Sequence, residues 1–260
     1  MTGLPLIMVA PNGARRTKAD HAVLPMTVSE IAETAEACWK AGADAIHAHV
    51  RDETGRHALD ADLYRQLIGA LAQRVPQMAV QVSTEAVGIY SAPEQMQLVR
   101  TLQPRAISAA IRELVPDAAS ETEAARFYGW CRQEQIHVQH ILYDDADVAR
   151  LGDLMARQVI PAGQPSVIYV LGRYSANQQS EPGDLDAFLR AATDLPQSPD
   201  WMVCAFGRSE TDCLEAAMRA GGKVRVGFEN SLWNADGNLA ASNEERVAEI
   251  AARAHLLGLG

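Results

Sequence analysis

The stretch Ala41-Gly-Ala-Asp-Ala-Ile-His-Ala-His-Val-Arg-Asp52 closes a helical run, turns on a glycine and then runs extended. Gly42 sits where a helix C-terminus needs a left-handed residue. Beyond it His47, His49 and Arg51 alternate with Ile46, Ala48 and Val50, so the two sets lie on opposite faces of a short strand. Two imidazoles on one face, two residues apart, can bind a single metal ion with little rearrangement. Taken alone, the pair also fits a core histidine bonded to backbone beside a loop histidine. A third ligand on another strand separates the two readings.

Outward from this stretch, short apolar runs alternate with amphipathic segments along the whole chain. Strand-like runs lie at Leu6–Ala10, Ala45–Val50, Ala79–Ser83, Ala106–Ile111, His137–Leu142, Val167–Leu171, Met202–Phe206 and Val224–Phe228. Segments with apolar residues at three- and four-residue spacing lie at Val28–Ala41, Asp62–Arg74, Pro93–Leu102, Ser120–Gln133, Asp147–Arg157, Leu185–Ala192, Glu210–Ala220 and Asn243–Leu257. Thr27 with Glu30, and Ser242 with Glu245, read as capping boxes. Strand–helix units of about 32 residues, repeated through the chain, give a (β/α)8, or TIM, barrel. A doubly wound open sheet is the alternative, but the Gly-rich dinucleotide turn is missing after the first run. No linker, low-complexity run or charge block interrupts the sequence, so residues 1–260 are read as one barrel domain.

Composition narrows the function. The 48% apolar fraction is ample for a core, and the formal net charge of -10 argues against non-specific binding to nucleic acid or an anionic membrane. Cys38, Cys131, Cys204 and Cys213 are scattered without Cys-x-x-Cys spacing and read as reduced thiols of a cytoplasmic protein. The apolar segment Leu4 to Ala10 has no basic leader and is too short to span a bilayer, so neither a signal peptide nor a membrane anchor is expected.

In a barrel, chemistry belongs at the C-terminal ends of the strands and the loops beyond. Those ends carry Asn12 and Arg15, then His47, His49 and Arg51, then Gln81, Ser83, Thr84 and Glu85, then Arg112 and Glu113, then His140 and Tyr143, then Tyr169 and Arg173, then Arg208. The last strand, Lys223-Val-Arg-Val-Gly-Phe-Glu-Asn230, puts Arg225, Gly227 and Glu229 on the inner face and Val224, Val226 and Phe228 toward the helices. An inward Arg and Glu near the barrel mouth are costly unless they are paired or used. They fit a simple ion pair, but with His47 and His49 on another strand Glu229 is also the natural third ligand. Two His and one carboxylate leave a position open, the usual state of a catalytic zinc.

These residues carry a resemblance. Ala10-Pro-Asn-Gly-Ala14, Ala41-Gly-Ala43 leading into His47-Ala-His-Val-Arg51, Gln81-Val-Ser-Thr84 and Gly221-Gly-Lys-Val-Arg-Val-Gly-Phe-Glu229 resemble, in order and over nearly the whole chain, the β-keto acid cleavage enzymes. The resemblance implies a metal-dependent (β/α)8 barrel holding one Zn2+ per chain, or another divalent metal, and assembling as a homo-oligomer, commonly a tetramer. It implies that a β-keto acid and acetyl-CoA give acetoacetate and a new acyl-CoA. A keto acid chelating the open position would have its carbonyl polarised and the carbon between its two carbonyls acidified. Loss of that proton gives an enolate that attacks the acetyl thioester. The resemblance also gives Arg225 a part in proton removal, beside an Asp that follows the metal-binding Glu, and gives Ser83 a part in holding substrate.

The chain departs from that pattern. Asn230 stands where the Asp would be, so Asn230 orients Arg225, or Glu113 or Glu85 takes over part of the role, or Asn230 is structural. Arg15 stands where a Glu suited to an ammonium group is expected, and Ala110 replaces a hydroxyl residue on the fourth strand. Arg15 therefore points to a neutral or acidic substrate tail, with Asn12, Thr84, Glu85 and Glu113 as further substrate-binding candidates. Arg51 and Asp52 are expected to pair, and His137 and His140 to be bonded core histidines. Two other readings stay open: a metal-dependent hydrolase on the same barrel, and a non-catalytic binding barrel that keeps its metal.

Overall fold

The computed structural model describes residues 3–259. The chain runs β1 (Ile7–Val9), α1 (Val28–Lys40), β2 (Ala45–Ala48), β3 (Val50–Arg51), β4 (His57–Ala58), α2 (Ala61–Arg74), β5 (Ala79–Ser83), α3 (Ala92–Leu102) and β6 (Ala106–Ala110). It continues through α4 (Ile111–Leu114), α5 (Glu121–Gln133), β7 (His137–Leu142), α6 (Asp145–Ala156), β8 (Ser166–Leu171), α7 (Leu185–Ala192), β9 (Asp200–Ala205), α8 (Glu210–Arg219), β10 (Lys223–Val226) and α9 (Asn243–Leu256). All strands except β3 and β4 pair in parallel and close into a barrel in the order β1-β10-β9-β8-β7-β6-β5-β2. The fold is the (β/α)8 barrel expected from the alternating runs.

Local chemistry sets these elements. Thr27 and Glu30 close a complete capping box at the start of α1, and the chain leaves that helix through Gly42 at φ 113. Ser242 caps α9 by accepting from the Glu245 amide, but the Glu245 carboxylate reaches back to the Ala241 amide, so that box is only half formed. The outward strand residues Val9, Ile46, Val82, Ile107, Val167 and Val224 join Ile31, Leu67, Phe127, Leu151 and Ile250 of the helices in one buried cluster. Each such side chain contributes ~1.5–3 kcal/mol when fully buried. Inside the barrel, Met8, Ala45, Ile168 and Met202 form a separate apolar plug. No helix among the described residues is long and apolar enough to cross a membrane.

Strand order also explains what the barrel brings together. β1 lies between β2 and β10, with Met8 opposite both Ala45 and Arg225. Two strand spacings of about 4.8 Å put the tops of β2 and β10 within the joint reach of a His and a Glu side chain.

Three local departures bear on the site. The strand expected to run to Val50 breaks after Ala48; Val50 and Arg51 pair instead with His57 and Ala58 in an antiparallel ribbon. The fourth barrel strand ends at Ala110, because Ile111 opens the single turn of α4 that carries Arg112 and Glu113. The last strand ends at Val226, where Gly227 adopts φ 140 and the chain kinks. Past the kink Phe228 packs with Leu24, Leu232 and Ala240.

The Gly227 kink admits no side chain. A Cβ there would meet the Ala10 carbonyl oxygen at 2.5 Å and Asn243 Oδ1 at 2.9 Å. Gly227→Ala is expected to cost ~1–3 kcal/mol through backbone strain, a fall of roughly 2–10 °C in thermal midpoint for a domain of this size. A variant that melts with the parent in a circular-dichroism scan would refute this account of the kink.

Candidate active site

Three ligand atoms converge at the barrel mouth. His47 Nε2 and His49 Nε2 lie 3.1 Å apart, and Glu229 Oε2 lies 3.6 Å from each. Both imidazoles are buried, and the three residues form one potential metal-binding group.

The hydrogen bonds behind the rings decide which nitrogens carry protons. The Val167 carbonyl can only accept, and it takes the Gln139 amide N–H at 3.3 Å. Gln139 Oε1 then accepts from Gln81 Nε2 at 2.9 Å, which leaves Gln81 Oε1 to accept from His47 Nδ1 at 2.8 Å. His47 Nε2 therefore carries a lone pair. A second relay does the same for its neighbour. His57 Nε2 donates to the Glu85 carbonyl at 2.9 Å, so His57 Nδ1 accepts from His49 Nδ1 at 3.4 Å and His49 Nε2 also carries a lone pair. Burial, reinforced by the Arg225 charge, pushes His47 down to about 4, and burial holds His49 well below its ordinary value. Both rings are neutral near pH 7.

Two lone pairs and a carboxylate oxygen thus face one another in a buried space, and Glu229 Oε2 has no hydrogen-bond partner among the described residues. Acceptors so arranged repel unless a cation lies between them. A four-coordinate divalent ion with bonds of about 2.0–2.1 Å needs ligand–ligand edges of about 3.3 Å. The observed edges of 3.1 and 3.6 Å bracket that value. The residues fit a small divalent cation.

Glu229 is delivered by the kink at Gly227. The Phe228 amide donates to Asn243 Oδ1 at 2.9 Å, and the Glu229 amide donates to the Ala10 carbonyl at 3.0 Å. From the other side Gly13 presses on the carboxylate stem: a Cβ at Gly13 would sit 2.6 Å from Glu229 Cγ. Arg225, 4% exposed, donates to Glu229 Oε1 at 3.2 Å and to Cys204 Sγ at 3.4 Å. Burial alone would push the Glu229 carboxyl up; the Arg225 guanidinium hydrogen-bonded to it holds it well below the usual carboxylate range.

The cavity over this centre is lined by His47, Ser83, Glu85, Arg225 and Glu229, together with Arg16, Tyr143, Arg173, Phe206 and the exposed Arg15. Ser83 Oγ accepts the Glu85 amide at 3.2 Å, which leaves its own hydroxyl proton free for the cavity. The exposed Arg15 makes no hydrogen bond or ion pair among the described residues. Burial, then the Glu229 charge, pushes the Glu85 carboxyl up to about 7 against the pull of Arg173.

Four of the catalytic and substrate-binding candidates read from the sequence lie outside this lining. Asn12 is clamped on the His49 backbone, donating to its carbonyl at 2.9 Å and accepting its amide at 3.3 Å. Thr84 donates to the Ser108 carbonyl at 2.9 Å. Glu113 accepts the Ala86 amide at 3.0 Å. Asn230 is fully buried, and among the described residues both its side-chain amide atoms lack partners.

Other expectations are corrected. Arg51 turns away from Asp52 and donates to the Gly13 and Arg16 carbonyls, while Asp52 pairs with Arg56. Tyr169 faces the helices, against Phe188 and Trp201. His140 faces Tyr128, and among the described residues neither His140 Nδ1 nor His137 Nε2 has a partner.

The site also uses residues that the sequence did not single out. Gln81 stands in the sequence as a strand end and as the start of the Gln81-Val-Ser-Thr84 motif, with no role of its own, and Gln139 is not singled out, although two amides inside apolar strands are a readable signal of inward polar contacts. His57 gave no such signal, because its approach to His49 depends on the β3–β4 ribbon. Cys38, Cys131, Cys204 and Cys213 are all buried free thiols.

Comparison with known proteins adds to this geometry. The family model described as "beta-keto acid cleavage enzyme" matches residues 5–260. A 3-keto-5-aminohexanoate cleavage enzyme of Fusobacterium nucleatum is 30% identical over 97% of this chain and 92% of its own. A 3-oxoadipate:acetyl-CoA acetyltransferase of Cupriavidus necator is 24% identical over 97% of this chain and 89% of its own. Among solved structures, apo ObcA superimposes with TM-score 0.69 at 16% identity, over 91% of this chain and 62% of that one, a likeness of fold.

Proposed function

The chain belongs to the beta-keto acid cleavage enzyme family, and from that premise we propose that it condenses a β-keto acid with acetyl-CoA to give acetoacetate and a new acyl-CoA, with zinc held by His47, His49 and Glu229. The observation that carries this reading is the set of three converging acceptors, with both histidine tautomers fixed from behind. When bound, the cation supplies Lewis-acid polarisation of the substrate ketone. Arg225 and the Ser83 hydroxyl offer donors where negative charge develops on the substrate oxygen. Loss of a proton from the carbon between the two carbonyls gives an enolate, whose attack on the acetyl thioester is followed by transfer of CoA as the chain breaks. The family match sets aside the hydrolase and the non-catalytic barrel. A homotetramer in the cytoplasm completes the proposal, and the buried free thiols suit a reducing compartment.

The test is a panel of β-keto acids incubated with acetyl-CoA, with acetoacetate as the readout. Turnover of none of them, by protein carrying its metal, would overturn the reading.

Arg15 sets the expected order within that panel. Its unpaired guanidinium in the cavity lining repels an ammonium tail and attracts a carboxylate. A charge-assisted hydrogen bond is worth ~1.5–3 kcal/mol, and exposure to solvent brings it to the lower end, roughly tenfold in kcat/KM. We expect neutral or acidic tails, as in 3-oxohexanoate or 3-oxoadipate, to be preferred over 3-keto-5-aminohexanoate. Arg15→Glu should shift the preference toward the amine by about the same factor. Equal effects of Arg15→Glu on all three substrates would reduce Arg15 to a solvated loop residue.

A further inference from the structure

Some group at this site must take the proton from the carbon between the substrate's two carbonyls, and most of the polar residues around the cavity are already committed. Of the carboxylates that line the cavity, Glu229 spends one oxygen on Arg225 and turns the other to the imidazoles. Glu113 holds the Ala86 amide and does not line the cavity. The guanidinium of Arg225 has no basic form within reach of neutral pH. Burial raises the Tyr143 hydroxyl well above its ordinary value, so it stays protonated. Asn230 has no proton-accepting carboxylate to offer.

Glu85 is different. Its carboxyl lines the cavity beside Ser83 and His47 and makes no hydrogen bond or ion pair among the described residues. Its backbone is nevertheless pinned at both ends. The amide donates to Ser83 Oγ at 3.2 Å, and the carbonyl accepts from His57, which in turn orients His49. The residue is thus held on the same frame as the cation site, with its side chain left free.

We propose that the Glu85 carboxylate is the proton acceptor of the reaction, in a part that the preceding reading leaves without an owner and on which this inference rests. The C–H bond between the two carbonyls breaks, an O–H bond forms on Glu85, and the electron pair passes into the ketone oxygen as the enolate. After CoA has moved and the carbon–carbon bond has broken, the enolate of acetoacetate takes the same proton back. Glu85 ends as it began, and no further reactant is needed. A carboxyl pushed up to about 7 is suited to both halves of that exchange near neutral pH.

The step can be followed without acetyl-CoA, as exchange of the C2 protons of 3-oxohexanoate for deuterium, read by proton NMR against the enzyme-free rate. Glu85→Gln should reduce the enzyme-dependent exchange by about 10²–10⁴-fold, the usual share of a general base. Its metal content should equal the parent's. Glu85→Ala should be as slow, and added formate should restore part of its exchange, which a purely structural residue would not show. Exchange by Glu85→Gln within a few-fold of the parent would overturn the proposal, as would loss of metal in that variant or failure of formate to rescue Glu85→Ala. A metal-replete parent that makes no acetoacetate from any keto acid of the panel would instead overturn the acetyl-CoA reading, and Glu85's role with it.

Discussion

Protein carrying His47→Ala or His49→Ala is expected to leave purification with far less than one divalent ion per chain and to make acetoacetate only at the background rate. Each histidine supplies one of three converging acceptors, and a buried pair of acceptors binds a dication far more weakly than three. The relays behind the rings predict a graded series. Gln81→Leu removes the acceptor that keeps the His47 proton on Nδ1, so its lone pair is no longer fixed at Nε2. Losing such an orienting partner typically costs 10–100-fold in metal affinity. Gln81→Leu should therefore bind metal more weakly than the parent and more tightly than His47→Ala. Elemental analysis after dialysis against a weak chelator ranks the three. Stoichiometric metal in both alanine variants would refute this ligand set.

How far the sequence could be read depends on where periodicity holds. Along the barrel strands side chains alternate strictly, so the position of Arg225 on the inner face, and the helix-facing role of Val224 and Val226, followed from counting by two. Closure of the barrel then put β10 one strand away from β2. Periodicity fails at the strand ends. At Gly227 the backbone leaves the extended region, and beyond it parity no longer says where a side chain goes: Phe228 packs into its own cluster and Asn230 is buried away from the cavity lining. The same holds after β2, where a ribbon folds His57 back against His49 through contacts that no local pattern encodes. Arg51 shows the limit from another side. Beside Asp52 in sequence, it finds carbonyls of the β1–α1 loop instead, because the ribbon turns it inward. Types and faces were legible; partners across the barrel mouth were not.

Arg225→Ala is expected to abolish turnover while leaving the metal in place, and the reasons for the two halves differ. The guanidinium is buried, with one nitrogen on Glu229 Oε1 and Cys204 Sγ, and its Nε has no partner among the described residues. A buried donor of that kind is worth most where charge develops during the reaction, and removing one such donor commonly costs 10²–10³-fold in kcat. Removing the whole cation should exceed that. The metal should survive because Glu229 keeps its two imidazole neighbours and a bound dication would itself favour the ionised carboxylate. Asn230 provides the contrast. Among the described residues Arg225 makes its hydrogen bonds to Cys204 and Glu229, so Asn230→Ala should lower kcat/KM by no more than a few-fold. Asn230→Asp instead places a carboxyl at a fully buried position, and its main effect should be on stability. Metal content, kcat/KM and melting temperature measured on the three variants separate these roles. Normal turnover by Arg225→Ala would end its assignment to the chemistry. Loss of metal from Arg225→Ala would show that its main work is to hold Glu229 ionised and in place, because the carboxylate would then depend on the guanidinium before any cation arrives.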